Sequence, residues 1–431
     1  MRLNAKWMIA GAGVLAVAGG LPWIVGYVTE QQWQQATEEV NSAQPFLRME
    51  TENYQRGILN ARFNGSVNLR NPETGETQQF AYRATVTHGV TGSLMDFEPE
   101  GGWSAGDTDW FSGEEPRLTL ETRLWGTAVL ELEAPEMRVT DADTGETLAS
   151  SGGLARIEIS DSGSQADALM VWPALTLSGP DLDVRVSDLR LEQTMSHLTG
   201  EVWTGSGEIV VDSLAVTPVA ETPFTLQEIS IRSSSEPVSD GERLDSRMAF
   251  EVARVATADE TYGPQRLVFE LSGLDVAAWS GLTESLSSLQ ALALNQASGG
   301  PQQFEQQMTA MQQVNTALRD LAAAGFSVGF PELTVTTPEG VVEGSASISH
   351  PELTADKKGE MLMVMQQLTG EMDLSLPVAL AEEYPEFRLQ LAPLIKQGLL
   401  VQQDDRLVLD ASMRDLMLEV NGVEIPLPPL L

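Results

Sequence analysis

Three kinds of hydrophobic patterning succeed one another along the chain. The first stretch, "WMIAGAGVLAVAGGLPWIVGYV" from Trp7 to Val28, is apolar throughout and carries no charge. At a rise of about 1.5 Å per residue a helix of this length reaches about 33 Å, enough for a hydrocarbon core of about 30 Å. The "AVA" at Ala16 to Ala18 has the small residues of a signal-peptide cleavage site. Ten more uncharged residues follow it, however, and Trp7, Trp23 and Tyr27 lie near the two ends, where aromatic rings favour the membrane interface. We therefore expect an anchor that is retained. Arg2 and Lys6 precede it, and no Lys or Arg follows until Arg48, which places the N-terminus in the cytoplasm and the body outside.

The next stretch, "TEQQWQQATEEVNSA", is polar with Trp33, Ala36 and Val40 at spacings of three and four, the mark of an amphipathic helix that Pro45 ends. From Leu47 to Leu274 the period becomes two. Runs such as "ARFNGSVNLR", "FAYRATVTH", "TAVLELEAPEMRVT", "LDVRVSDLRL" and "FTLQEISIR" alternate apolar and polar residues, as half-buried antiparallel strands do. Turn residues punctuate them at "NPETGE", "DADTGE" and "SGPD". No repeat of constant length is present.

From Asp275 the pattern turns helical. "LDVAAWSGLTESLSSLQALALNQ" and "QQFEQQMTAMQQVNTALRDLAAAG" flank "ASGGP", predicting a helical hairpin with its loop at Ala297 to Pro301. A strand hairpin turning at Pro338 to Gly340 follows, then helical patterns at Thr354 to Leu368 and Pro377 to Gln397. In the closing segment Asn421-Gly422 stands between alternating runs, the strongest short hairpin signal. The expected organisation is thus a cytoplasmic N-terminus at 1–6, an anchor at 7–28, an amphipathic juxtamembrane helix at 29–46 and an antiparallel β region at 47–274. A helical hairpin at 275–325 and a mixed strand and helix region at 326–431, closing on the sheet, complete it. The fold class is α+β and β-rich: one transmembrane helix, then a large curved, mostly antiparallel sheet of many strands, with helices in the C-terminal third.

Charge changes this picture in one respect. The 431 residues hold 62 Asp and Glu against 25 Lys and Arg, a net charge of -37. Lys occurs only at Lys6, Lys357, Lys358 and Lys396, so nearly all cations are Arg. Such a field repels phosphate backbones, and nucleic acid is excluded as a partner. The acids are spread along the whole chain, which we read as adaptation to high salt, where repulsion between surface charges is screened. Cysteine is absent, so disulfides, thiolate metal sites and a cysteine nucleophile are excluded.

The sequence offers little catalytic chemistry. Its three histidines, His88, His197 and His350, stand in separate segments with no metal-ligand spacing. No GxSxG elbow, P-loop or dinucleotide fingerprint occurs, and "GSG" at Gly205 to Gly207 reads as a bend in a strand. Neither a cofactor nor a metal is expected. Carboxylates are too abundant for a catalytic pair to be singled out, which leaves a carboxylate-based hydrolase as an unselected alternative.

Four segments in order, "ENYQRGILNARFNGSVNL", "VTHGV", "LSGLDVAAWSGL" and "LVLDASMRDLMLEVNGVEIPL", give the chain a resemblance to the YdgA-like family of bacterial envelope proteins of unknown function. The resemblance runs over most of the chain, anchor included, although this chain is shorter and more acidic than is usual there. It implies a single-pass inner-membrane protein with a periplasmic body, and it supplies no established enzymatic activity. It singles out Tyr54, Arg56 and Gly57 in a YxRG pattern, His88 and Gly89 in an HG pattern, and Trp279. Read as residues, Tyr54 and Arg56 share one face of a strand, where ring and guanidinium can stack, and Gly57 permits a bulge or turn. His88 is expected to cap a strand end through a backbone hydrogen bond before Gly89, and Trp279 to anchor the helical hairpin in the core. The "MLMVMQQ" run from Met361 reads as a buried helix face rather than a flexible binding surface.

The function expected first is therefore a non-catalytic structural or interaction module of the envelope, with a homodimer or an envelope protein as partner. The second is a carrier of lipid or another hydrophobic ligand on an apolar sheet face, by analogy of architecture with AsmA-like proteins. A continuous apolar groove discriminates the second from the first.

Overall fold

The computed structural model describes residues 22, 24–38, 40–41, 46–71, 75–104, 109–111, 113–200, 202–294, 301–354 and 361–428. The expected anchor at 7–28 lies outside the described residues except for its last turn and Pro22. That last turn belongs to the helix expected to begin only at 29, with Val25 fully buried and Gly26 against His88, so the boundary expected at 28 falls inside a helix packed on protein. No helix among the described residues is long and apolar enough to cross a membrane. The protein is β-rich, its strand pairings are antiparallel, and it divides into two compact units, residues 1–179 and 180–431. That division falls inside the stretch expected to form one β region.

In the first unit a helix over residues 24–38, α1, precedes ten strands: β1 Leu47–Arg56, β2 Asn60–Arg70, β3 Thr77–His88, β4 Gly92–Pro99, β5 Arg117–Arg123, β6 Ala128–Ala134, β7 Met137–Thr140, β8 Thr147–Ser150, β9 Gly153–Ser160 and β10 Gln165–Ser178. Neighbours in the sheet run β1-β2-β3-β4-β5, then β6 continued by β7, then β8 continued by β9, then β10, since β7 pairs with β8 in the register in which β6 pairs with β9, and β8 and β9 pair with β10 in one register. Because neighbouring strands run antiparallel, the turns after β1, β3, β5 and β9 gather along one edge and those after β2, β4 and β7 along the other. α1 lies on the face formed by the first four strands. Trp33 packs with Phe63, Ala84, Val86, Met95 and Phe97, its ring 5.3 Å from that of Phe63, and its indole N–H donates to Thr51 Oγ1 at 2.9 Å. Asn41 fixes the far end of the helical segment, exchanging two bonds with the backbone of Met49 at 2.7 and 2.8 Å.

In the second unit the strands are β11 Leu182–Thr199, β12 Val202–Pro218, β13 Phe224–Val238, β14 Arg243–Thr257, β15 Thr261–Tyr262, β16 Gln265–Asp275, β17 Phe326–Thr337, β18 Gly340–His350, β19 Thr369–Pro377, β20 Val401–Gln403, β21 Arg406–Arg414, β22 Met417–Val420 and β23 Val423–Pro426. Its main sheet is ordered β11-β12-β13-β14-β16-β17-β18-β19-β21-β22-β23. The helical hairpin is α2 Val276–Leu294 and α3 Pro301–Ala324; its loop lies outside the described residues apart from Pro301. Asp275 sets the start of α2 by accepting from the backbone N–H of Ala278 at 2.8 Å, the bond of an N-capping carboxylate. Arg243 holds the end of α3, donating to the carbonyls of Ala324 and Gly325 at 2.9 and 3.1 Å, where the helix carries its negative pole.

The C-terminal third departs from the expected pattern. The described part of the helix read at Thr354 to Leu368 is the short α4 Met361–Gln366, whose Val364 is buried against Ala323 and Leu353. The helix read at Pro377 to Gln397 is two helices, α5 Val378–Glu383 and α6 Pro385–Lys396, since the residue before a proline is pushed out of the helical region and Tyr384 is extended. Strand β19 lies between them and α4, where no element was expected. Asn421 and Gly422 both take positive φ, 47° and 82°, as a type I′ turn requires.

Phe63 is the centre of the first unit's core, 1 % exposed and ringed by Trp33, Tyr54, Tyr82 and Phe97. Phe63→Ala is expected to cost about 3–5 kcal/mol, because so tightly ringed a site cannot collapse around the gap. Denaturant unfolding followed by circular dichroism measures this.

Candidate functional site

Five of the six family-pattern residues meet in the first unit, where β1 to β4 receive the start of α1. A bulge between Glu52 and Gln55, with Asn53 at φ 52°, turns Tyr54 inward so that its ring stacks on Phe63 at 5.1 Å and 17°. Arg56 does not stack on Tyr54 as expected. Its guanidinium lies 5.3 Å over the ring of Tyr27 and pairs with Glu30 at 2.9 Å, both on α1. The helix offers a cation–π partner and a carboxylate together, which outweighs a single ring across the bulge. Gly57 forms the turn, its N–H donating to Asn60 O at 2.7 Å.

His88 also differs from expectation. Its backbone N–H caps the strand end by donating to Leu59 O at 2.8 Å, but its ring bonds a hydroxyl instead of the backbone. His88 Nδ1 and Ser93 Oγ are 2.8 Å apart, and Ser93 Oγ is 2.8 Å from Thr29 Oγ1 of α1. His88, Ser93 and Thr29 are 4, 3 and 2 % exposed. The opposite edge of the ring abuts Gly26, where an added Cβ would stand 2.8 Å from Nε2. Only glycine lets the helix come this close. Gly89 closes the β3–β4 turn by donating to Gly92 O at 2.8 Å.

A histidine bonded to a serine hydroxyl invites comparison with a nucleophile and its base. Here Nε2 has no partner among the described residues, so no carboxylate orients the ring, and Ser93 is sealed between strand and helix. The arrangement interlocks α1 with the β3–β4 hairpin. Burial pushes the Tyr54 hydroxyl up to about 12, so it stays protonated at any physiological pH. Among the described residues no cluster of His, Asp and Glu has the arrangement of a metal site.

The second unit carries a different candidate, a sheet whose two faces are unlike. On one face Arg and Glu alternate across strands: Glu208, Arg232, Glu251, Arg266 and Glu332 form a continuous chain of ion pairs, with Arg232 2.7 Å from Glu208 and 3.3 Å from Glu251. A groove of about 930 Å³ over this face is lined by Glu208, Arg232, Glu251 and Arg266 together with further acids, among them Asp188 and Asp212. On the other face, Met248 is opposite Phe269, Phe269 touches Phe330 at 5.4 Å, Phe330 is opposite Ala346, and Ala346 is opposite Met372. Helices cover this apolar face at two places. Val276 of α2 and Leu321 of α3 pack on Leu271 and Leu274, and α5 and α6 pack on Leu374, Leu376, Leu407 and Leu409. Between them Met248, Phe250, Phe330, Ile348 and Met372 are 39–47 % exposed.

Trp279 lies on the first turns of α2 and is 38 % exposed, so it does not anchor the hairpin. Val276 and Leu282, 3 and 5 % exposed, are buried there instead. Sequence reading missed Thr29, Ser93, Gly26 and Glu30, whose small or common side chains carry no pattern, and it missed the open apolar band, because alternation marks an apolar face without saying what covers it.

Burial and the nearby Arg56 hold the His88 imidazole below its ordinary value, so it is neutral in the fold. The unfolded chain takes up a proton there near pH 6.5, so stability from this site is complete above about pH 6.5 and declines as the pH falls toward the folded value. Unfolding free energies at pH 7 and pH 5 should therefore differ less in His88→Asn than in the parent.

No curated protein and no solved structure matches the chain. Residues 5–428, nearly its whole length, match a family described as "Bacterial protein of unknown function (DUF945)". The chain belongs to that family.

Proposed function

We propose that this is a membrane-anchored, non-enzymatic protein of the bacterial envelope whose second unit binds an elongated apolar ligand, a lipid or its acyl chain, on the open band of its sheet. The observation that carries the reading is the row Met248, Phe269, Phe330, Ala346 and Met372, flanked by Phe250 and Ile348 and left uncovered between two helical elements. Apolar surface gains about 25 cal/mol per Å² when removed from water, and a flexible acyl chain can follow such a row. The charged face of the same sheet has no comparable surplus, because its Arg residues are already paired with Glu. The YdgA-like resemblance, an anchor in the apolar stretch that begins at Trp7 and precedes α1, and the acidic composition suited to high salt belong to this same reading.

Two measurements test it. A phosphatase fused after Leu431 is expected to be active in cells, and the protein in the membrane fraction to retain Met1 to Ala18; a soluble form beginning at Gly19 would reverse the anchor assignment. For the ligand, full-length protein in native membranes is irradiated with a diazirine-bearing fatty acid incorporated into phospholipid. Label is expected on peptides of β14, β17, β18 and β19. Phe330→Asp with Ile348→Asp should reduce it by about tenfold or more, since each carboxylate would have to be buried against hydrocarbon. Label confined to residues 7–28 would defeat the ligand reading, and cross-linking of the band to another protein would favour the interaction module.

A further inference from the structure

The first unit's two sheet edges differ in composition. Along one edge run the turns "NPETGE" at 71–76, the β4–β5 connection with Glu100, Glu114 and Glu115, and "DADTGE" at 141–146, all acidic. Along the other edge stand three adjacent turns without a single acid: Gly57-Ile58-Leu59-Asn60, Gly89-Val90-Thr91-Gly92 and Leu124-Trp125-Gly126-Thr127. Backbone bonds knit these three into a row, His88 N–H to Leu59 O at 2.8 Å and Leu124 N–H to Thr91 O at 2.9 Å. Their apolar side chains point outward. Ile58, Leu59 and Trp125 are 60–62 % exposed and Val90 is 50 % exposed. The polar turn at 161–164, with Asp161, marks the end of the row.

The start of α1 lies at this same edge. Gly26 abuts His88 beside the β3–β4 turn, and Tyr27 takes Arg56 beside the β1–β2 turn. The chain leading into α1 at this point is the uncharged stretch from Trp7, so the segment of sequence most suited to hydrocarbon enters the unit where its exposed apolar tips are. Trp125 carries Arg123 over its ring at 5.8 Å, a pairing of aromatic and cation that suits the boundary between acyl chains and headgroups. In a chain with 62 Asp and Glu, keeping three successive turns free of acid also removes repulsion from anionic headgroups.

We infer that this edge is a lipid-contacting rim: Ile58, Leu59, Val90 and Trp125 enter the interfacial layer of the bilayer and seat the first unit on the membrane surface. The inference rests on the anchor reading above and adds an orientation to it. α1 then leaves the membrane along the sheet, and the acidic turns point away from the headgroups.

The absence of cysteine in the chain allows a direct test. Single cysteines are introduced in the full-length protein by Leu59→Cys, Val90→Cys or Trp125→Cys, with Asp143→Cys in an acidic turn of the opposite edge as control. Each is labelled with an environment-sensitive fluorophore and reconstituted in vesicles of phosphatidylethanolamine and phosphatidylglycerol, with or without lipid brominated on its acyl chains. Labels at 59, 90 and 125 are expected to shift to the blue and to lose most of their emission to the brominated lipid, and the label at 143 to lose none. If the protein floats with the vesicles but the three rim labels are quenched no more than the control, the rim is overturned while the anchor stands. If it fails to float, the anchor is overturned and the rim with it.

Discussion

An antiparallel sheet of alternating sequence has one apolar face, and that face must be covered by something. The architecture of this protein follows from how few elements it has for the task. In the first unit α1 covers only the strands nearest to it, and Trp33 concentrates the contact by standing on Phe63 and Phe97. In the second unit eleven strands in the main order share two helical pairs and the short α4. Each pair closes one part of the apolar face, and the aromatic and methionine side chains between them are left in water. Exposed apolar residues scattered singly are ordinary, but a laterally continuous row over neighbouring strands is not.

The opposite face of that sheet shows why the band is not an accident of an over-apolar sequence. From Glu208 to Glu332, five strands in a row place a charge on the solvent side, and each charge finds an opposite neighbour on the next strand. Exposed pairs of this kind contribute about 0–1 kcal/mol each and weaken as salt rises, so they do not hold the sheet together. Their effect is on specificity: a row of alternating charges is a poor surface for a second sheet or for any apolar ligand, and it sets the register that keeps Met248, Phe250, Phe269 and Phe330 on the other side.

Much of this architecture was legible in the sequence because its carriers are local. A period of two survives reading without knowledge of partners, and Asn421-Gly422 or Asp275 act on backbone within three residues of themselves. β19 was also legible: Met372, Leu374 and Leu376 alternate with Glu371, Asp373 and Ser375, but the helical patterns on either side obscured it. Arg56 was not, because its partners Tyr27 and Glu30 sit on a helix whose first residues read as membrane. Trp279 failed for a related reason. A tryptophan early in an amphipathic helix looks like an anchor, yet the face that reaches the sheet is set by Val276 and by the capping bond at Asp275, which fixes the helix's rotation.

The junction around His88 joins these threads. A buried neutral histidine between a glycine of the helix and a serine of the strands admits neither a larger residue on the helix nor a charge on the ring, so α1 can dock in one rotation and at one height. The same docking sets the direction in which the chain leaves toward its apolar stretch, and it fixes Ile58, Val90 and Trp125 relative to that point through the backbone bonds linking their turns. A loosely docked helix would let the sheet swing relative to the chain that enters it. A docked one makes the sheet's orientation to that chain a property of the fold, and this is the physical role that the geometry gives to the buried His88.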